Sequence, residues 1–352
     1  MLNQDVVWAV VGAGPAGILA VGRLLDRGVA PDEIIWLDPE FNVGDFGQYW
    51  LAVPSNTRVA LFNQFLHSTT AFQYDKCPAA FSLAHLHEND TCLLGEMAKS
   101  LQWVTAHLCE VVPHQTCVVR FLQHSNNAWH LTTTAGDVFS KNVILATGCL
   151  PKKLHYDIET QELPLTVALN PALLKNTLKP SNHVVVFGSS HSGILVLKNC
   201  LEAGCRVTNF YRSPLRYAIH QEDHTIYDNT GLKGSAASWA KENLHGQENF
   251  SSQLTRRCLN DCSEEEVIST LQACDHVVYA VGFAPRHLPS RDLDCSHYDA
   301  HTGIIAPGLF GLGVAYPEAM TDRYNITEFN VGLFKFSTYL SKVLPLWMQY
   351  VN

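Results

Sequence analysis

The apolar run Val6-Val7-Trp8-Ala9-Val10-Val11 passes directly into Gly12-Ala13-Gly14-Pro15-Ala16-Gly17, and that junction constrains the chain more than any other feature. A short apolar run reads as a buried strand. The following Ile18, Leu19, Ala20, Val21, Leu24 and Leu25 have helical spacing up to Gly28. Strand, G-x-G-x-x-G turn and helix together form a dinucleotide-binding pattern. Gly12 permits the tight turn, Gly14 clears a path for a pyrophosphate, and Gly17 lets the helix pack on the strand. The helix amides then face the phosphate charge. A second apolar strand, Ile34-Ile35-Trp36-Leu37, ends on Asp38, whose carboxylate can accept both hydroxyls of a ribose.

The pattern returns once, 176 positions later. Val184-Val185-Val186-Phe187 is a strand, Gly188-Ser189-Ser190-His191-Ser192-Gly193 a turn, and Ile194 to Leu201 a helix stopped near Gly204. Arg206 to Tyr211 is the next strand, and Arg212 follows it. Two copies of one βαβ unit predict two nucleotide-binding domains. A nucleophile elbow at Gly188–Ser192 is disfavoured, because Gly193 stands where the dinucleotide turn needs it.

Between the copies, Phe41 to Pro54 reads as a loop passing close to a bound cofactor, and Leu61 to about Leu108 as mostly helical, clearest over 95–105. Short β-branched runs at 111–112, 117–122, 129–134 and 138–139 predict a small antiparallel meander, closed by the buried strand 142–148. A linker occupies 151 to about 180. Later come a helix at 236–245, a third strand of the second unit at 276–282, and a final helix over about 327–344.

With 352 residues, 47% apolar and 16% charged, the chain reads as a soluble protein of two domains. A formal charge of −9 with no Lys/Arg run argues against nucleic-acid binding. No segment approaches the ~18–20 apolar residues of a membrane span, and the N-terminus does not read as a signal peptide. Eleven irregularly spaced cysteines read as free thiols in a reducing, cytoplasmic compartment. His85-Leu86-His87 has no third ligand nearby, so no metal is expected.

The motifs GAGPAG at 12–17, Asp38, ATG at 146–148, GSSHSG at 188–193, YAVGF at 279–283 and GLGVA at 311–315 resemble those of the pyridine nucleotide-disulfide oxidoreductase-like flavoproteins. That superfamily includes thioredoxin-reductase-like enzymes and flavin-containing monooxygenases. The resemblance implies an α/β fold of two Rossmann-like domains. An FAD-binding domain over 1–150 and 283–352 carries the small β meander and is split by an NAD(P)H-binding domain at 151–282. It also implies an FAD site built from Gly12, Gly14, Pro15, Ala16, Gly17, Asp38, Pro39, Gln48, Trp50, Val112, Thr147, Gly148, Gly313 and Val331. Gly47 to Trp50 is similar to a glycine-and-tryptophan stretch of the monooxygenase branch. The nicotinamide site would comprise Gly188, Ser190, Gly193, Arg212 and Gly282. An arginine after the second strand suits a 2′-phosphate, so Arg212, with Arg216, predicts NADPH over NADH.

Departures from the family pattern narrow the chemistry. No C-x-x-C occurs and no cysteine lies between Asp38 and Cys77, so a dithiol relay is not expected. Cys258 and Cys262 form a C-x-x-x-C read as helical. The F-x-G-x-x-x-H signature of monooxygenases is missing between Pro151 and Asn182, Ser190 replaces the middle glycine of the second turn, and Val314 stands where many members have Asp. The insert 214–234 is dense in polar and aromatic groups, and His191, Tyr217, Tyr227 and Lys233 are the candidate catalytic residues. Three readings remain. One is an FAD-dependent NADPH oxidoreductase passing electrons to a small organic acceptor or oxygen. The others are an N- or S-monooxygenase and a non-catalytic flavoprotein that senses redox state or binds a partner. The substrate of either enzyme is a small molecule. The apolar stretch from Tyr339 to Tyr350 packs within the chain or forms a homodimer contact.

Overall fold

The computed structural model describes residues 4–351 except 79–80, 223–224, 246–251 and 292. The chain divides into two compact units, 1–51 with 57–149 and 285–352, and 52–56 with 150–284.

In the first unit, β1 (Gln4–Val11), α1 (Pro15–Asp26) and β2 (Ile34–Asp38) follow the opening motif. The long helix α2 (Leu94–Val111) precedes β3 (His114–Thr116), β4 (Val119–Ser125), β5 (Ala128–Thr133) and β6 (Gly136–Leu145). The expected strand at 111–112 is instead the end of α2, with buried Val112 as its extended C-cap. Helical hydrogen bonding continues through Val112 N–H to Leu108 O, and that bond outcompetes the β-branched pair's strand propensity.

The two expected segments at 138–139 and 142–148 form one strand, β6. Its first half pairs antiparallel with β5, and from Val138 to Leu145 it runs parallel to β1. Two strands from late in the chain, β11 (Ile304–Ala306) and β12 (Leu309–Gly311), complete the sheet. Its main path runs β11-β12-β6-β1-β2-β3, with β4 joined through β5.

In the second unit, β7 (His183–Phe187), α3 (His191–Glu202) and β8 (Arg206–Tyr211) repeat the motif. They are followed by α4 (Gly234–Leu244), β9 (Leu254–Cys258), α5 (Glu264–Gln272) and β10 (His276–Tyr279). The four-stranded parallel sheet has the order β9-β8-β7-β10. This is the doubly wound order, in which the turn after the first strand opens at the carboxyl edge. Cys258 ends β9 and Cys262 caps a short 3₁₀ turn. The helix read for this pair is therefore not formed, and the Cys262 thiol donates to the Cys258 carbonyl at 3.2 Å.

The tail departs from a single helix. Residues 318–330 form a hairpin of β13 (Glu318–Thr321) and β14 (Thr327–Asn330), and α6 spans Leu333–Trp347. Gly332, at φ 142°, separates strand from helix in a conformation that side chains resist. The inner face of α6 packs into the first unit. Tyr339, Leu340, Leu344 and Trp347 are buried, and Trp347 stacks on Phe310 at 4.8 Å. These four residues of the apolar stretch pack within the chain, while Tyr350 at its end is exposed.

Candidate functional site

At the first turn, Gly12 adopts φ 109°, and a Cβ on it would lie 2.3 Å from the Ala146 carbonyl oxygen. A Cβ on Gly17 would lie 1.8 Å from the Gly12 carbonyl oxygen. Both positions require glycine for strand, turn and helix to meet. Gly14 differs. It is the N-cap of α1 with φ −74°, a conformation open to any residue, and a Cβ there would meet only the Val43 oxygen at 3.9 Å. Packing does not demand this glycine. Its absent side chain clears the approach to the α1 amides, which no side chain caps. Pro15 opens the helix without losing a hydrogen bond. The turn therefore fits a dinucleotide pyrophosphate.

Asp38 is buried at the end of β2, and its carboxylate is already engaged. One oxygen accepts the Ala13 amide at 2.6 Å, and the other accepts those of Glu40 and Phe41 at 2.8 and 2.7 Å. It ties the glycine turn to the loop beyond Pro39, which is exposed. Trp36, two residues earlier on the same face, donates its indole N–H to the Gly12 carbonyl at 2.9 Å.

The loop after Asp38 returns to the turn. Gly44 packs so closely on Gly14 that a Cβ on it would lie 3.2 Å from the Gly14 Cα. Gln48 reaches back to Glu40, and Trp50 lies edge-on to exposed Tyr49. Sequence reasoning missed Arg286. Its guanidinium pairs with Asp45 at 2.7 Å, its amide donates to the Gly148 carbonyl at 2.9 Å, and its carbonyl accepts the Thr147 hydroxyl at 2.6 Å. Arg286 thus fastens the loop to the Ala-Thr-Gly turn. An Asp and an Arg some 240 positions apart give no local signal in the sequence.

Gly313, at φ 86°, packs on the start of α1, where a Cβ would meet that of Ala16 at 2.7 Å. Val314 is partly exposed, and its carbonyl accepts the Cys149 thiol at 3.1 Å. Val331 is exposed before α6. The structure therefore brings Gly12 to Gly17, Asp38, Thr147, Gly148 and Gly313 around one sheet edge. Val112 lies beyond, at the end of α2.

The second turn repeats the first. Gly188, at φ 107°, would carry a Cβ 2.2 Å from the Ala280 oxygen, and one on Gly193 would lie 2.7 Å from the Gly188 oxygen. Ser190 occupies the Gly14 position as N-cap of α3. It is exposed and forms no cap bond, so it leaves the helix amides free. Around Gly282, at φ 95°, a Cβ would meet nothing within 4 Å.

The ring of His191, the first residue of α3, lies with Nε2 3.4 Å from the Pro54 carbonyl and with a buried Nδ1 that has no partner among the described residues. Burial holds this imidazole below the ordinary histidine range. The Pro54 carbonyl opposes the shift and the Lys233 charge adds to it.

The insert residues are spoken for by neighbours. Lys233 pairs with Asp228 at 2.7 Å, Arg216 stacks on Tyr227, and the Tyr217 hydroxyl lies 2.8 Å from His245 Nε2. Asp223 and His224 of this insert lie outside the described residues. Arg212, exposed, is the first residue beyond β8. Sequence reasoning also missed Asn209, the counterpart of Trp36. Its amide donates to the carbonyls of Val186 and Gly188 at 3.0 and 2.9 Å.

The family model described as pyridine nucleotide-disulphide oxidoreductase matches residues 9–306. The chain belongs to this family. It is a flavoprotein oxidoreductase. A monooxygenase, AgnR1 of Paecilomyces divaricatus, is 31% identical over 392 aligned positions, with 98% of each chain covered. A flavin-containing monooxygenase from Stenotrophomonas maltophilia shares the fold with a TM-score of 0.66 at 14% identity, covering 99% of this chain and all of the other. The bacillithiol disulfide reductase Bdr of Staphylococcus aureus shares it at 0.64 and 13%, with 98% and 99% covered. No described helix of this family member is long and apolar enough to cross a membrane.

Proposed function

We propose that the protein is an FAD-dependent, NADPH-consuming monooxygenase acting on a small organic molecule in the cytoplasm. The observation that carries this reading is the full-length likeness to a monooxygenase in a chain whose sequence has no C-x-x-C. All eleven cysteines are free thiols, as a reducing compartment would keep them. The overall balance is NADPH, a proton, oxygen and substrate giving NADP⁺, water and oxygenated substrate.

FAD, when bound, supplies acceptance of two electrons and oxygen activation. Gly14 and the α1 amides would receive its pyrophosphate, with Pro15, Ala16 and Gly17 beneath. Asp38 and Pro39 would border the adenosine ribose. Gln48, Trp50 and Val112 would flank its path, Thr147 and Gly148 would line the sheet edge, and Gly313 and Val331 would face the flavin end. Gly188, Ser190, Gly193 and Gly282 would receive NADPH, and Arg212 would attract its 2′-phosphate. His191, neutral at physiological pH and with one ring nitrogen unpartnered among the described residues, is suited to accept or donate a hydrogen bond beside that nucleotide. Tyr217, Tyr227 and Lys233 would shape the insert through the contacts they already make.

A second reading, a reductase that passes electrons to a small organic acceptor, is favoured by the absence of the monooxygenase signature between Pro151 and Asn182. The test is to add NADPH without oxygen to the yellow protein, then readmit air. Fast bleaching, slower with NADH, followed by substrate oxygenation at one equivalent per NADPH, supports the proposal. Quantitative hydrogen peroxide or reduced acceptor without oxygenated product selects the second reading. A colourless protein that refuses added FAD overturns both.

A further inference from the structure

The two halves can be compared position by position at the end of their second strands. Leu37 pairs with Val11, the residue before Gly12, and Phe210 pairs with Phe187, the residue before Gly188. The next residue is Asp38 in the first unit and Tyr211 in the second. Side chains two apart on a strand share a face. Asn209 and Tyr211 therefore stand as Trp36 and Asp38 do. Where the first unit has a carboxylate, the second presents a tyrosine ring with a cation on it.

The Arg256 guanidinium lies 4.6 Å from the Tyr211 ring centroid. Arg256 is on β9 in register with Asn209, and its Nε donates to the Asn209 side-chain oxygen at 3.1 Å. The Asn209 amide in turn holds the Gly188 carbonyl. A continuous set of bonds thus fixes this guanidinium relative to the second glycine turn. Its Nη2 is buried and has no hydrogen-bond partner among the described residues.

Burial lowers the Arg256 pKa, and the described neighbours that act on it electrically are Tyr211 and Tyr217, which oppose the shift. Lys241 lies over the Tyr217 ring, and His245 Nε2 lies 2.8 Å from the Tyr217 hydroxyl. Among the described residues no negative charge acts on this half-buried guanidinium, and its free edge suits a phosphate.

We propose that Arg256, held by Asn209 and Tyr211, is the specificity-determining residue that reads the 2′-phosphate of NADPH. This rests on the NADPH reading above. The exposed Arg212 contributes attraction at longer range, and Arg256 supplies a preorganised donor at the ribose position.

The test measures binding of adenosine 2′,5′-bisphosphate and of 5′-AMP to the FAD-loaded full chain by calorimetry. In the wild type, the bisphosphate binds more tightly. Arg256→Met should reduce that preference at least tenfold and leave 5′-AMP affinity within twofold. Equal loss for both ligands, or an unchanged preference, overturns the proposal. If Arg256→Met does not fold, Arg256→Lys decides. It keeps the charge but loses the guanidinium's directed donors, so the preference should fall at least threefold, and an unchanged preference overturns the proposal. A wild type with no preference for the bisphosphate would defeat the NADPH reading itself and this proposal with it, before any variant is made.

Discussion

Two glycines three residues apart should fail in different ways. At Gly17 an added Cβ would sit 1.8 Å from the Gly12 carbonyl oxygen, about half a van der Waals contact, and both groups are backbone. Relief requires α1 to move off the turn. That strain is expected to cost about 3 kcal/mol or more. At Gly14 the same methyl would find its nearest atom at 3.9 Å, in a φ region open to alanine. Replacing glycine there narrows the unfolded ensemble, which is worth about 0.4–1 kcal/mol. Alanine is also the poorer N-cap, by a similar amount. The two effects cancel, so Gly14→Ala should leave apoprotein stability within about 1 kcal/mol of wild type. Yet its methyl would stand where the α1 amides are approached, so FAD affinity should fall more than tenfold, about 1.4 kcal/mol or more. The assays are urea unfolding of the FAD-free protein and fluorescence titration with FAD. Gly14→Ala binding FAD like wild type would remove the pyrophosphate from this turn. A collapse of apoprotein stability in the same variant would refute the packing argument.

Two further outcomes follow from buried groups. Asp38→Ala strips the acceptor from the amides of Ala13, Glu40 and Phe41. At about 1–3 kcal/mol per orphaned group, and less than additively, the apoprotein should lose about 3 kcal/mol by urea unfolding. Asp38→Asn should recover part of this, and a loss below about 1 kcal/mol in the alanine variant would show the carboxylate to be incidental. His191 should contribute a pH dependence. Its pKa is depressed in the fold, so below about pH 6.5 the unfolded chain takes up a proton that the buried ring refuses. Stability is full above that pH and falls as pH drops. His191→Gln should flatten the decline between roughly pH 7 and 5, and identical slopes in both proteins would refute the assignment.

The parts legible in the sequence were those in which local pattern and tertiary demand coincide. Gly17 is required by a contact inside one βαβ unit and Gly12 by the Ala146 carbonyl at the end of β6, yet both stand in one local spacing that recurs at Gly188 and Gly193, so the turns could be read without a structure. Elements decided by distant partners were not legible. Val111 and Val112 have strand chemistry but lie at the end of an 18-residue helix whose hydrogen bonds carry them. Thr327 to Asn330 pairs with Glu318 to Thr321, and only Gly332 reveals that the helix begins later. Arg286 meets Asp45 and the Thr147–Gly148 turn through folding alone. Asn209 sits in an apolar and β-branched strand and Arg256 beside Arg257 in a half-exposed one, where a polar side chain signals a role only once its hydrogen-bond partners are seen.

The internal repeat separates what the scaffold needs from what each ligand needs. Both units hold the carbonyl of the first glycine with a side-chain N–H from the second strand, Trp36 in one and Asn209 in the other. Two unrelated residues serving one bond at matching register show that the bond belongs to the turn. Gly12, Gly17, Gly188 and Gly193 belong to it equally, since each would collide with backbone. The halves diverge at Gly14 against Ser190, and at Asp38 against Tyr211 with Arg256. Gly14 and Ser190 are not fixed by the turn's own packing, whereas Asp38 also holds the Ala13 amide of its turn, so it is the first divergence that points most directly to what lies over the turn. A carboxylate beside one turn and an arginine beside the other cannot favour the same ribose. On the function proposed above, the two turns would receive different nucleotides, FAD beside Asp38 and NADPH beside Tyr211 and Arg256.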